Sequence, residues 1–272
     1  PVEISVTETN QAAARFRSKL DTIATRIASA TTESRWLEAQ ELSNQLAKLP
    51  VGVAMDFHRQ AVAGLHHLEG LVRVGFRCNQ DCGMCWQGRE WGKFGSEQIL
   101  TWIEDLARAG AKRLIISGGE PTLDRDLPTF ISYARDQGFT SITIESNVIR
   151  CGKPEYARSL LDAGLTGAFV SLHSGDPDIS DAITRAPGTH ARTVAGILTM
   201  LDVGIPVRLN TVMTQKGLDH LPQLPDYIHD TFGHLNGKLQ GLMFSYPTEP
   251  FERALLPSVL PNPIQLREVL RE

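Results

Sequence analysis

The sequence predicts an α/β protein with a partial (β/α)6 barrel of parallel strands and an N-terminal α-helical extension. From Gly70 onward, short β-branched runs alternate with helices that have spaced apolar faces, the pattern of repeated βα units. Glycines follow four of these helices, where a left-handed cap is favoured. The predicted strands are residues 71–76, 113–117, 141–145, 167–172, 207–212 and 239–244, and the capping glycines are Gly110, Gly138, Gly164 and Gly204.

Before this core, residues 11–49 have the apolar spacing of two amphipathic helices, and Pro50 ends the second. Residues 55–68 resemble a third helix. The extension is predicted either to pack on the main domain or to form a docking surface for a partner. The expected domains are a helical extension over residues 1–69, a core over 70–250 and a C-terminal helical segment over 251–272.

The predicted core helices follow the strands in order. Each has an apolar face made by residues three or four positions apart. The fifth helix, over residues 218–232, is interrupted because Pro222 and Pro225 lie in its first turns. The first four faces are marked by Ile99 and Ile103, by Leu127 and Phe130, by Ala157 and Leu160, and by Val194 and Ile197.

Composition excludes several classes of protein. Hydrophobic residues make up 42% of the chain and charged residues 21%, an ordinary globular balance. The formal net charge of −4 offers no general attraction for nucleic acid or anionic lipid. No apolar run approaches the 18 or more residues needed to cross a bilayer. The first residues lack the basic and apolar segments of a signal peptide, so the chain is expected to be cytoplasmic.

Three of the four cysteines form one motif directly after the first predicted strand. Cys78, Cys82 and Cys85 have the spacing C-x3-C-x2-C. Three thiolates can hold three corners of a cuboidal [4Fe–4S] cluster and leave one iron open. The alternative is a structural zinc site completed by Cys151 or His173.

A second motif, the segment 117–123, follows the second strand. Its paired glycines, Gly118 and Gly119, allow a ligand to approach the backbone closely. Pro121 fixes the turn, and Glu120 offers a carboxylate to an ammonium group. By itself this motif equally fits a tight turn with an exposed glutamate.

Together, the two motifs resemble those of the radical S-adenosylmethionine (radical SAM) superfamily, and the resemblance covers roughly residues 70–246. It implies a [4Fe–4S] cluster and S-adenosylmethionine as cofactors. It also implies that the cluster cleaves S-adenosylmethionine reductively to a 5′-deoxyadenosyl radical, which abstracts hydrogen from an unactivated carbon of the substrate. The strand layout is similar to the branch containing molybdenum-cofactor synthases and peptide-modifying maturases. The implied partners are a peptide or small-molecule substrate and a reductant such as flavodoxin or ferredoxin.

The resemblance also implies roles for single residues. The cluster ligands are the three motif cysteines, and Arg185 resembles the arginine that pairs with the methionine carboxylate in some relatives. The residue before the third cysteine departs from the family, because it is Met84 rather than an aromatic; Trp86 is the alternative ring. The implied cofactor-binding residues are Gly118, Gly119, Glu120, Pro121, Asn147, Ser171, Arg185 and Asn210, with Glu145, Ser146, His173 and Thr211 at the same strand ends.

Three classes of function remain open from the sequence. The first is a biosynthetic radical SAM enzyme that acts on a peptide or small molecule. The second is a partner-dependent activase or maturase that docks through the helical extension. The third is a non-catalytic zinc or iron–sulfur binding protein. Cys151 is expected to be a small buried hydrophobe, with a substrate-facing thiol as the alternative.

Overall fold

A computed structural model of the chain describes residues 69–87, 92–235, 237–248 and 250–271. The helices predicted over residues 11–49 and 55–68 lie outside the described residues. The described part contains one six-stranded sheet, in which the strands lie in the order β1-β2-β3-β4-β5-β6 and every neighbouring pair is parallel. The strands are β1 (Glu69–Arg73), β2 (Arg113–Ser117), β3 (Ser141–Ser146), β4 (Gly167–Ser171), β5 (Val207–Val212) and β6 (Leu239–Ser245).

Helices connect successive strands, and this alternation confirms the predicted α/β partial barrel. Parallel strands need such crossovers, because the chain must return from the carboxyl end of one strand to the amino end of the sheet before the next strand begins. The helices are α1 (Ser96–Arg108), α2 (Leu127–Asp136), α3 (Pro154–Ala163), α4 (Pro177–Thr184), α5 (Thr189–Val203), α6 (Leu224–Phe232), α7 (Leu256–Val259) and α8 (Pro263–Val269).

The two faces of the sheet differ in burial. Along each of the first five strands, buried residues alternate with more open ones over most of the length. The buried set includes Val72, Ile116, Ile144, Val170 and Leu209, and forms the core under the helices. The opposite face lines the interior of the barrel, and the side chains that make the site lie there.

The predicted helix caps are confirmed by backbone geometry. Gly110, Gly138, Gly164 and Gly204 have φ angles of 93°, 88°, 115° and 104°, in the left-handed region where a side chain is strained. Each ends its helix a few residues before the next strand begins.

Two predicted elements differ substantially from the structure. Strand β1 ends at Arg73 rather than at residue 76, because Gly75 pairs with Lys93 in an isolated antiparallel bridge and so leaves the parallel sheet. The helix predicted over residues 218–232 is divided into a 3-10 segment, Gln215–His220, and helix α6. Pro225 occupies the first turn of α6, where its missing N–H group costs no hydrogen bond.

The C-terminal residues pack on the loops of the barrel. Val259 of α7 joins Met84 and Ile183 in one apolar cluster. Leu266 and Val269 of α8 pack against a second cluster formed by Met213, Leu218 and Leu221. Among the residues described, no helix has the length and apolar character needed to cross a membrane.

Candidate functional site

A pocket of about 350 Å³ opens at the carboxyl ends of the strands. Its volume falls within the range of small-molecule sites. It lies where active sites of parallel barrels are found, on the loops that follow the strands. Its lining comes from the loop after β1, the ends of β2 to β5, and residues 246–248.

The predicted cysteine loop forms one wall of this pocket, and Cys78, Cys82 and Cys85 all line it. Cys78 and Cys82 are partly buried, whereas Cys85 is exposed. The Cys85 N–H donates to the carbonyl of Cys82 over 3.0 Å, which closes a turn between the second and third thiols. The loop therefore presents three soft donors to one cavity, the donor type that holds iron–sulfur clusters.

Backbone hydrogen bonds fix this loop on helix α4. The Asp81 N–H donates to the Thr184 carbonyl over 2.9 Å, and the Gly83 N–H donates to the Ile183 carbonyl over 3.0 Å. The Phe251 N–H donates to the Cys85 carbonyl over 2.8 Å. Segments distant in sequence thus hold the cysteine loop from two sides.

The glycine pair after β2 packs against the backbone just before the cysteines. The Gly119 N–H donates to the Gly75 carbonyl over 2.8 Å. A Cβ atom at Gly118 would overlap the same carbonyl, and one at Gly119 would overlap the carbonyls of Phe76 and Arg77. Both glycines line the pocket, but the close approach they permit is to the protein's own backbone.

The Glu120 carboxylate is buried and hydrogen-bonded within the protein. Oε1 accepts from the Thr122 N–H (2.9 Å), the Thr122 hydroxyl (2.5 Å) and the Ser146 hydroxyl (2.7 Å), and Oε2 accepts from the Asn147 N–H (2.8 Å). Burial raises the pKa of Glu120, and these donors oppose that rise. Pro121 begins the short 3-10 turn Pro121–Leu123 beside it. The carboxylate therefore joins the loop after β2 to the end of β3.

Asn147 contacts the cysteine loop directly. Its Nδ2 donates to Asn79 Oδ1 over 2.7 Å and to Gln80 Oε1 over 3.3 Å. Gln80 Nε2 in turn donates to Thr189 Oγ1 over 3.1 Å. The predicted residue Asn147 thus lies in the pocket and links β3 to the residues between the first two cysteines.

The strands β4 and β5 bring Ser171, His173 and Asn210 to the same pocket. Asn210 Oδ1 accepts a hydrogen bond from the Ser245 hydroxyl over 2.6 Å. His173 Nδ1 accepts from the Val212 N–H over 3.2 Å. Burial lowers the pKa of His173 to about 4, so the ring is neutral near pH 7, and its proton resides on Nε2.

Arg185 lies apart from these residues. Its backbone ends helix α4 in the left-handed region, with φ at 52°. Its guanidinium pairs with Asp81 over 2.6 Å and with Glu252 over 3.1 Å. The side chain lines a small separate depression with Gly83 and Leu255. In the structure Arg185 connects the cysteine loop to the C-terminal segment, and its predicted pairing with a methionine carboxylate remains a prediction.

The two side chains considered near the third cysteine, Met84 and Trp86, have different surroundings. Met84 is buried in the cluster with Ile183 and Val259 and also lines the pocket. Trp86 is 42% exposed and lines the pocket. The Arg73 guanidinium lies over the Trp86 ring, 4.9 Å from its centroid. The sequence motifs do not single out Arg73, whose signal is a cation on the inward-facing side of a strand.

Cys151 is fully buried, and burial raises its pKa to about 12. Its surroundings match the expected small buried side chain. Within the described part of the chain, no three His, Cys, Asp or Glu side chains gather as a single metal ion would require.

A parallel barrel with three cysteines on its first loop and a glycine pair on its second defines the class of radical SAM proteins. Residues 72–221, more than half of the chain, match the model of the Radical SAM superfamily. The chain therefore belongs to the radical SAM superfamily.

Two curated relatives show what the chain is similar to in sequence. The chain is 35% identical over 156 residues to a probable GTP 3′,8-cyclase of Methanococcus maripaludis (strain S2), covering 56% of this chain and 52% of that protein. It is 28% identical over 158 residues to the PqqA peptide cyclase of Rhodopseudomonas palustris, covering 57% of this chain and 41% of that protein. The chain spans about half the length of the curated relatives it matches.

Solved structures share the fold. Streptococcus suis SuiB bound to S-adenosylmethionine superposes with a TM-score of 0.59 at 17% identity, covering 90% of this chain and 58% of that one. SuiB bound to the precursor peptide SuiA gives a TM-score of 0.57 at 18% identity, and the match covers 82% of this chain and 53% of that one.

Proposed function

We propose that this protein is a radical SAM enzyme that modifies a peptide or small molecule. The observation that carries the proposal is the convergence of Cys78, Cys82 and Cys85 on one pocket at the carboxyl ends of the strands. Three thiols on one loop fit a [4Fe–4S] cluster that keeps one iron for a ligand. When bound, this cluster and S-adenosylmethionine supply a 5′-deoxyadenosyl radical able to remove hydrogen from an unactivated carbon.

The chain's own residues would hold and orient the cofactor. Gly118, Gly119 and Glu120, with Pro121 fixing their turn, are proposed to bind its methionine end through the loop after β2. Asn147, Ser171 and Asn210 are proposed to bind it from β3, β4 and β5, since all three line the same pocket. Arg185 is proposed to bind the cofactor on the strength of the family resemblance alone.

Two further side chains suit this role. The Trp86 ring lines the pocket one residue past the third cysteine, and its exposed surface offers an apolar platform for adenine. His173 is neutral and buried, so it can donate a hydrogen bond from Nε2 without adding a charge to the site. Both would help to exclude water from a reactive intermediate.

Relatives of the same superfamily support the proposed substrate class. One is named a peptide cyclase, another a probable GTP 3′,8-cyclase, and SuiB has been solved with a precursor peptide. We propose a peptide or small biosynthetic substrate and an electron donor such as flavodoxin or ferredoxin. The proposed division into an N-terminal extension, residues 1–69, a core, 70–250, and a C-terminal segment, 251–272, assigns this chemistry to the core.

Anaerobic reconstitution tests the proposal. The protein is loaded with iron and sulfide, and 5′-deoxyadenosine is measured after addition of S-adenosylmethionine and dithionite. The wild type is expected to show a cluster spectrum and to form 5′-deoxyadenosine. Cys82→Ala should lose both, whereas the matched control Cys151→Ala should retain both. Full 5′-deoxyadenosine production by Cys82→Ala, or none by the wild type with a complete cluster, would contradict the proposal.

A further inference from the structure

Arg73 is a cation on the interior face of the barrel. In β1 the buried Val72 faces the helices, and the alternation of the strand places Arg73 on the opposite side. Its Nε atom is buried and has no hydrogen-bond partner in the described part of the chain. A buried, unsatisfied donor on a charged group is costly, and an anionic ligand would remove that cost.

The Trp86 ring holds this guanidinium in place. The 4.9 Å separation between the guanidinium carbon and the ring centroid is a cation–π contact. Stacking on a ring uses the face of the guanidinium and leaves its N–H donors in the plane of the group. Those donors are the part that recognises a carboxylate through two parallel hydrogen bonds.

A carboxylate lies on the same interior face two strands away. Arg73 is paired with Ser117 in the register of β1 and β2, and the Ser117 hydroxyl donates to Glu145 Oε2 on β3 over 2.6 Å. Two strand spacings place the backbones of Arg73 and Glu145 about 10 Å apart. Among the described residues, Glu145 Oε1 accepts no hydrogen bond. Glu145 and Ser117 both line the pocket.

We propose that Arg73 and Glu145 form a substrate subsite that takes a carboxylate at Arg73 and an N–H group at Glu145. An acidic amino-acid unit carries both groups, either within a peptide or as the free amino acid. The two side chains have opposite charges, so the subsite matches a ligand with little net charge. A polyphosphate would bring several negative charges close to Glu145, which disfavours it. This inference rests on the proposed function and adds the chemical class of the substrate.

Calorimetric titration of the holoenzyme with S-adenosylmethionine bound tests the subsite. The probes are N-acetyl-L-glutamate methylamide, its glutamine analogue, free L-glutamate and GTP. We expect the wild type to bind the glutamate methylamide at least about tenfold more tightly than the glutamine analogue, because the charge-assisted pair is lost in the latter. Whichever of the blocked or free glutamate probes binds more tightly identifies a peptide or an amino acid as the source of the carboxylate.

Variants assign the preference to Arg73. Arg73→Met keeps an apolar stem on the Trp86 ring and should bring the ratio of the two dissociation constants close to one. Arg73→Lys should restore only part of the ratio, because an ammonium lacks the planar fork. The control Arg113→Met removes a cation of the same sheet that pairs with Glu69 at the opposite end of the strands, and should keep the wild-type ratio.

Specific results would overturn the subsite. A wild-type ratio near one, a ratio retained in Arg73→Met, or tighter binding of GTP than of every glutamate probe would each do so. Formation of 5′-deoxyadenosine by the wild type is measured in parallel. If it forms without discrimination between the probes, only the subsite is wrong; discrimination without 5′-deoxyadenosine contradicts only the proposed reaction.

Discussion

His173 and Glu120 are two buried titratable residues whose pKa values are displaced mainly by burial. His173 binds protons less readily in the folded protein, and its Nδ1 accepts a backbone hydrogen bond that requires an unprotonated nitrogen. The Glu120 carboxylate satisfies donors from two strand ends. Each residue therefore affects stability as well as the chemistry of the pocket.

His173 should make the protein less stable in mild acid. Its pKa is about 4 when folded and about 6.5 when unfolded, so the unfolded chain binds more protons between these values. The stabilising contribution of neutral His173 is therefore fully present above pH 6.5 and is lost as the pH falls toward 4. From pH 7 to pH 5, the wild type should lose about 2 kcal/mol more of its free energy of unfolding than His173→Gln does.

Urea unfolding of both proteins at the two pH values measures this difference. The exposed residue His234 supplies a control, since His234→Gln should keep the wild-type pH dependence. Equal losses in wild type and His173→Gln would show that His173 is protonated in the folded protein.

Removing the Glu120 side chain should be strongly destabilising. Glu120→Ala leaves the Thr122 and Asn147 N–H groups and the Ser146 hydroxyl without their acceptor in a buried place. The expected loss is about 3 kcal/mol of the free energy of unfolding, measured by urea titration. The exposed Glu97→Ala should change it by less than about 0.5 kcal/mol. If Glu120→Ala also lost less than about 0.5 kcal/mol, water would have to replace the carboxylate as the acceptor of these hydrogen bonds.

At the scale of elements, the loops after β1 and β2 are packed together through glycine. The Gly119 position has no room for a Cβ atom, because the carbonyls of Phe76 and Arg77 occupy it. The position of the cysteine loop therefore depends on a residue in the neighbouring loop.

Gly119→Ala should separate these two loops. The added methyl group forces a backbone shift, and we expect a loss of about 2 kcal/mol of stability together with lower cluster occupancy after reconstitution. Gly95→Ala is a suitable control, because a Cβ atom there meets no neighbour within 4 Å. Thermal unfolding and iron content measure the two effects, and a Gly119→Ala protein with normal stability would contradict the observed packing.

Local sequence predicts most of the elements, because strands and helix caps depend on neighbouring residues. The β-branched runs and the left-handed glycines mark the six strands and the ends of their helices. The end of β1 was not predictable, since Gly75 leaves the sheet to pair with Lys93. The environment of Glu120 also depends on Ser146, on the next strand, which spacing within a single motif does not reveal.

At the scale of the whole molecule, the described site is built from the loop after β1, the ends of four strands and a segment beyond the sixth strand. Residues of β2 to β5 line the pocket, and Tyr246, Pro247 and Thr248 complete it from the far side. Cofactor binding should therefore stabilise the folded barrel as one unit, because the unfolded chain cannot assemble these groups.

Loading with the cluster and S-adenosylmethionine should raise the melting temperature of the protein. At a free S-adenosylmethionine concentration one hundred times its dissociation constant, the stabilisation is about 2.7 kcal/mol. This corresponds to several degrees for a chain of this size. Differential scanning calorimetry under anaerobic conditions measures the shift. The Cys78→Ala/Cys82→Ala/Cys85→Ala variant is expected to show no such shift, and an equal shift in that variant would place cofactor binding elsewhere.

The hydrogen bonds that Glu120 accepts from the loop after β2 and from the end of β3 constrain sequence variation among related barrels. One carboxylate serves hydroxyl groups on Thr122 and Ser146, which lie in different βα units. A relative that replaces the glutamate should therefore also change both hydroxyl-bearing positions, because either hydroxyl left alone would lose its buried acceptor. Substitutions at these three positions are expected to covary across lineages even where the rest of each loop diverges independently.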